Sequence, residues 1–355
     1  MLLAWRPART IARSCAGHGE GAPMRKLLRP AAALAALLAT SACGGAYRVP
    51  PEAGSLPADV GIVLSLDLPA LASTDIYREL QERGGQVGLN RINFYKFAQA
   101  AGIDPVRDVR WLTLLGRRHA EEGPIVDELS AIASGTFDGK KMHDFLADSG
   151  MPRDVHEGME IFSMVVVDGR CRFCIAVLDD TTAAFGDGDT LRACAEARRS
   201  PETSLARDPS ARRLLARVDG RAAIWGLTRG PRLAGPLTDF LARLGGSAPA
   251  SAVGSVKDVS FFVVPGESIF AAVDALAGSD EDARLVADVL QGAGSLGRLA
   301  VKQAKPDAAD LMSSFRVEVD GTLIRASASV SSARLLEMAR SAAGPVLDAM
   351  QGQGR

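Results

Sequence analysis

The chain has 355 residues, 41 of them basic and 42 acidic, and 47% of it is apolar. That apolar share is ample for a packed core and excludes a disordered stalk. A net charge of −1 gives no overall excess of Lys and Arg for neutralising phosphates, which argues against a nucleic-acid partner.

Residues 1–23, with Arg6, Arg9 and Arg13, read as an upstream extension before a true start at Met24. Met24-Arg25-Lys26 then opens a basic segment, and Leu27 to Ala42 is an apolar run of Leu and Ala, broken by Arg29 and Pro30. The run is too short to span a bilayer, which takes roughly 20 residues. A basic segment, an apolar run and small residues before a cut describe an export signal over residues 24–42. Its end, Thr40-Ser41-Ala42-Cys43-Gly44, resembles the lipobox of bacterial lipoproteins, with Thr40 standing where that family prefers an aliphatic residue. The resemblance implies that Cys43 becomes the first residue of the mature chain and carries acyl groups on its thiol and amine. Two or more lipid signals give stable anchoring where one chain does not. Gly44 after the Cys implies sorting to the outer membrane, with the body on the periplasmic side. Removing residues 1–42 takes away six basic residues and one acidic, leaving 35 against 41, a net charge near −6. The expected partners are therefore the membrane, through Cys43, together with an envelope protein or an apolar ligand, and no nucleic acid.

After a linker at 43–55, the body reads as two related copies of an α+β plan, 56–198 and 214–345, joined by a polar linker at 199–213 and closed by a tail at 346–355. Each copy is expected to be a mainly antiparallel sheet with helices packed on one face. "RDVRWLTLLGRR" (107–118) is echoed by "KDVSFFVVPGES" (257–268), and "MVVVDGRCRFCIAVL" (164–178) by "FRVEVDGTLIRASASV" (315–330). Asp168-Gly169 and Asp320-Gly321 sit between alternating apolar runs, a strong hairpin signal. The openings "VGIVLSLDLPALAS" (60–73) and "RAAIWGLTRGPRLAG" (221–235) both read as a strand followed by a helix start, and "DTLRACAEARR" and "SARLLEMARSA" as closing helices. The body also resembles a group of uncharacterised secreted lipoproteins of high-GC Gram-negative bacteria, on the pattern seen at Leu56–Leu71 and Gly102–Val109. That resemblance supports the architecture and implies no activity.

Four stretches invite a chemical reading. Gly292, Gly294 and Gly297 form G-x-G-x-x-G, but "EDARLVADVL" before them has helix spacing rather than that of a buried strand, so no dinucleotide or other cofactor is expected. Cys171-Arg-Phe-Cys174 lies within an alternating strand, where at about 3.3 Å per residue the two Cα atoms stand roughly 10 Å apart, beyond the ~7 Å reach of a disulfide. A Cys171–Cys194 bond is the geometrically better pairing, because Cys171 shares a strand face with Phe173, Ile175 and Val177, and Cys194 a helix face with Leu191 and Ala195; the stronger expectation is that both are small buried apolar side chains without a bond. "LNRINFYKFAQAAGID" (89–104) reads as a core-packing helix that could also line an apolar groove. In "GDGDT" (186–190), Asp187 or Asp189 is expected to cap the helix rather than hold calcium. The chain carries no G-x-S-x-G, and His119, His143 and His156 lie in no metal spacing. The expectation is a non-enzymatic protein.

Overall fold

The computed structural model describes residues 49–84, 101–104, 107–117, 129–167, 169–230, 254–304 and 313–337. Among them the chain is a mixed α+β fold built on one antiparallel sheet. Its strands are β1 (Val60–Asp67), β2 (Val109–Arg117), β3 (Leu129–Gly135), β4 (Arg153–His156), β5 (Met159–Val167) and β6 (Arg170–Asp179), followed by β7 (Thr182–Gly186), β8 (Ile224–Arg229), β9 (Asp258–Val264), β10 (Ser268–Leu276), β11 (Arg316–Asp320) and β12 (Leu323–Ser331). They lie in the order β11-β12-β10-β9-β8-β1-β2-β3-β7-β6-β5-β4. Instead of two sheets there is one, closed at its centre by the antiparallel β1·β8 pair, in which Ser65 stands opposite Trp225.

The helices are α1 (Leu68–Ala72), α2 (Asp75–Gly84), α3 (Gly139–Asp148), α4 (Gly188–Arg199), α5 (Pro209–Leu215) and α6 (Asp280–Ala304). Four of these starts follow from short acidic caps. Asp67, Asp138, Asp187 and Asp208 each accept a hydrogen bond from the backbone amide three residues on, at 2.9, 2.9, 3.0 and 2.8 Å. Asp187 is thus the cap expected in "GDGDT".

Helices cover both faces of the sheet, not one. On the first face α4 brings Leu191, Cys194 and Ala197, and α5 brings Ala211, Leu214 and Leu215, onto Val63, Leu115, Ile132, Trp225, Leu227 and Phe262. On the second, α3 packs Met142 and Leu146 against Ala133, Phe162, Ile175 and Phe185, and α6 packs Ala283, Val286 and Ala287 against Ile324. The physical reason lies in β6 and β7, where Cys174-Ile175-Ala176 and all of Thr182–Gly186 are buried. A strand covered on both faces has no polar alternate positions. Each fully buried large side chain of this kind, such as Trp225 or Phe262, contributes about 2 kcal/mol.

Residues 49–55 of the first expected linker and 199–213 of the second are folded, and they hold each other. Residues 51–55 form a 3₁₀ turn, as do Pro201–Thr203. The Leu205 amide donates to the Leu56 carbonyl at 2.7 Å and the Ala58 amide to that of Thr203 at 2.9 Å, around a Pro57–Ser204 bridge. Ala53, Leu56 and Leu205 are fully buried. Polar, proline-bearing composition marks these segments as non-strand, but the scattered apolar residues decide their place. Gly292, Gly294 and Gly297 lie inside α6, as the helix spacing predicts, and Gly294 has a use there. A Cβ at that position would stand 2.7 Å from the Phe315 ring, so only glycine lets that ring close on the helix. The two Gly-containing hairpins form as expected, with Val167 opposite Arg170 and Asp320 opposite Leu323. Gly169 and Gly321 take left-handed backbone, φ 74° and 58°.

Candidate functional site

A cleft of about 450 Å³ opens on the first face of the sheet, where the 3₁₀ turn Pro51–Ser55 meets β2, β3 and β7. Register sets its floor. Trp111, Ser134 and Thr182 stand opposite one another in adjacent strands, and Thr182 stands opposite Asp179, so one row of the sheet supplies four polar or amphipathic side chains to the lining, with Asp67 opposite Trp111 at the end of the row. The next row adds Thr113, whose hydroxyl bonds that of Ser65 at 2.8 Å, and Ile132. The C-terminal end of α4 contributes Arg198.

Glu52 is the unusual member of this wall. Pro51-Glu52 begins the 3₁₀ turn that the 199–206 segment straps down, and this presses the Glu52 side chain in from above. Its Oε2 is sealed from solvent with no hydrogen-bond partner among the described residues. Burial pushes the carboxyl pKa up, and the charge of Asp67 adds to this, against the opposing pull of its own backbone amide and of Arg110. Asp179 behaves differently. Burial raises it too, but hydrogen bonds from Thr181 and the charge of Arg198, with which it is paired, leave it below the ordinary carboxylate range. One carboxyl is therefore held as a committed anion while the other shifts toward its neutral form. Arg110 lies at the rim, 3.9 Å from Asp67. The cleft is a place where a donor group can be received, with an indole beside it.

Neither described histidine lines this cleft. His143 bonds Glu160 at 2.8 Å and packs edge-on to Phe162, and His156 bonds Glu196 at 3.0 Å. No group of three His, Cys, Asp or Glu side chains is set to hold a metal ion among the described residues.

The cysteines overturn the expected pairing. Cys171 is bonded to Cys174, and Cys194 is a free, buried thiol whose pKa burial pushes up to about 12. The strand is not regular here. Ser163 pairs Cys174, Val165 pairs Phe173 and Val166 pairs Cys171, so Met164 on β5 and Arg172 on β6 are each an extra residue. The bulges bend the chain and bring the two Cα atoms to 5.9 Å, where an extended strand would hold them roughly 10 Å apart. Gly188, at the start of α4, lies over the bond, since a Cβ there would come 3.3 Å from Cys174 Sγ. Cys43 and residues 89–100 of the expected helix at 89–104 lie outside the described residues, while Ala101 and Ile103 are buried.

Sequence reasoning missed Glu52, Trp111, Ser134 and Arg198 as a group. Each is unremarkable beside its chain neighbours, and only the register of four strands and the strap at 199–206 bring them together. Compared with known protein families, with curated proteins and with solved structures, the chain matches none.

Proposed function

We propose that the chain is an exported lipoprotein, fixed to the periplasmic face of the outer membrane through acyl groups on Cys43, and that its body is a non-enzymatic binding or scaffold module of the cell envelope. The run Leu27–Ala42 and the ending Ala42-Cys43-Gly44 support the anchor. The cleft supports the binding role. About 450 Å³ of space is walled by Glu52, Trp111, Thr113, Ser134 and Thr182 together with the Asp179–Arg198 pair, a mostly polar lining with one indole that suits a small polar ligand. A small ligand with an N–H or O–H donor, lying beside Trp111, answers that wall.

Native mass spectrometry of the gently extracted protein tests the binding role, with Ser134→Trp beside it to fill the cleft. A small adduct on the wild type that the variant lacks is the expected result. A bare wild-type mass, with no envelope protein co-purifying, contradicts it.

A second reading is a carrier or sensor of an apolar ligand such as a lipid. The partly exposed aliphatic and aromatic side chains on the second face of the central strands favour it, among them Leu64, Leu66, Leu114, Ile224 and Phe261. A lipid-sized adduct that survives Ser134→Trp would select this reading.

We also infer that the body is an internal duplication. Counted outward from the β1·β8 pair, one arm runs β1-β2-β3-β7-β6 and the other β8-β9-β10-β12-β11. This order supports the echo between 107–118 and 257–268. It also aligns the β11–β12 hairpin with β6–β7 rather than with 164–178, leaving β4–β5 as an addition to the first copy.

A further inference from the structure

We propose that the hairpin arm at the end of β5 and the start of β6 inserts into the surface of an anionic lipid bilayer. β4 covers β5 only as far as Phe162, and the Ser163 amide then donates to the Pro152 carbonyl, where the neighbouring chain turns away. Beyond that point four successive apolar residues, Met164 to Val167, are exposed at 37, 48, 53 and 46%. Val166 and Val167 pair in regular succession with Cys171 and Arg170, and successive strand residues point to opposite faces, so exposure of both means that the end of the arm stands clear of the body on both sides. Single exposed valines need no explanation, whereas a contiguous apolar strip of this kind marks a contact surface.

Charge selects the partner. Arg170 and Arg172, both exposed, follow the turn on the returning strand and flank the valines. Against the single acidic residue of the connecting sequence, Asp168, they leave the tip net positive, which suits a headgroup layer carrying negative charge. The Cys171–Cys174 bond and the α4 start at Gly188 stiffen the arm at its base. The inference rests on the anchor at Cys43 for its geometry. Five residues separate Cys43 from Val49, the first described residue, and the six steps between them span at most about 20 Å. A body tethered so closely has some part of its surface at the bilayer.

Val166→Trp tests this without threatening the fold, because the side chain is exposed. The membrane-extracted protein is returned to vesicles of phosphatidylethanolamine and phosphatidylglycerol, with and without brominated acyl chains, and the wild-type emission is subtracted. The expected result is a blue-shifted emission from the introduced indole, most of it lost to the brominated lipids and recovered when Arg170→Glu and Arg172→Glu are added. Protein that sediments with the vesicles while the introduced indole stays unquenched overturns the arm and leaves the anchor standing. Protein that stays off the vesicles overturns both. A blue shift that needs no vesicles and grows with protein concentration assigns the arm to a second copy of the chain, and overturns the lipid assignment.

Discussion

Arg325 on β12 donates two hydrogen bonds to Asp274 on β10, at 2.7 and 2.6 Å, across directly opposed positions of the sheet. Asp274 is fully buried, Arg217 adds a third contact at 3.3 Å, and the Arg217 carbonyl accepts a further bond from Arg325 at 3.0 Å. Removing one charge of such a pair leaves the other buried and uncompensated. Asp274→Ala is expected to cost about 3–5 kcal/mol, whereas the joint replacement Asp274→Leu with Arg325→Met costs less than that. Urea unfolding of both variants checks this. A single-variant loss below about 1 kcal/mol, no more than an exposed pair contributes, would contradict the burial of the pair.

Glu52 gives a pH signature. A carboxyl whose pKa is raised in the folded state binds a proton more readily folded than unfolded. Its contribution to stability is therefore present at low pH and lost as pH rises above the ordinary value of 4.5. Glu52→Gln removes that loss. At neutral pH the variant is expected to gain about 1 kcal/mol, or about 2 °C in Tm, and the gain fades below about pH 4, where both carboxyl states are protonated. Thermal melts across pH test this, and a variant less stable than the wild type at neutral pH runs against it.

Gly226 and Phe261 form a cross-strand pair with no room to spare. A Cβ at 226 would lie 2.4 Å from the Phe261 ring and 2.8 Å from the Val63 carbonyl oxygen. The backbone oxygen cannot move aside as a side-chain end can. Gly226→Ala is expected to destabilise by about 1–3 kcal/mol through overpacking. Gly226→Ala combined with Phe261→Ala recovers only part of that loss, because the Val63 contact remains. Full recovery in the double variant would assign the whole clash to the ring.

The disulfide yields a specific peptide. Trypsin acting after Arg170, Arg172 and Arg192 releases the dipeptide Cys171-Arg172, which should be found joined to residues 173–192 in non-reduced digests. Cys194 should appear in the peptide 193–198, alkylated only when the protein is unfolded first, since burial keeps its thiol protonated. Recovery of Cys171 bonded to the 193–198 peptide would restore the pairing that strand geometry alone suggests.

How much of this could be read from residues in order depends on the range over which each feature is decided. Asp187 as a cap, the turn at Gly169 and the helical setting of Gly292 and Gly294 are decided within a few residues, and all are legible. The Cys171–Cys174 bond is not, because it needs the two bulges at Met164 and Arg172, and neither residue type announces one. The folded state of 51–55 and 199–213 escapes for a related reason. Ala53, Leu56 and Leu205 are isolated apolar residues among polar ones, and their burial comes from each segment lying on the other. The union of the halves into one sheet rests on the β1·β8 register, where Ser65 meets Trp225, a pairing 160 positions apart with no local mark. The cleft inherits this. Glu52 and Arg198 come together only after the sheet, the strap and α4 are in place.

The proposed anchor would decide where everything else acts, and one measurement reaches it directly: the intact mass of the membrane-extracted protein beside that of a Cys43→Ala variant. The expected result is a wild-type chain that begins at Cys43 and carries acyl mass, with the variant released from the membrane. A wild type that is soluble without acylation and begins elsewhere would contradict the anchored assignment, and would leave the cleft to a free envelope protein.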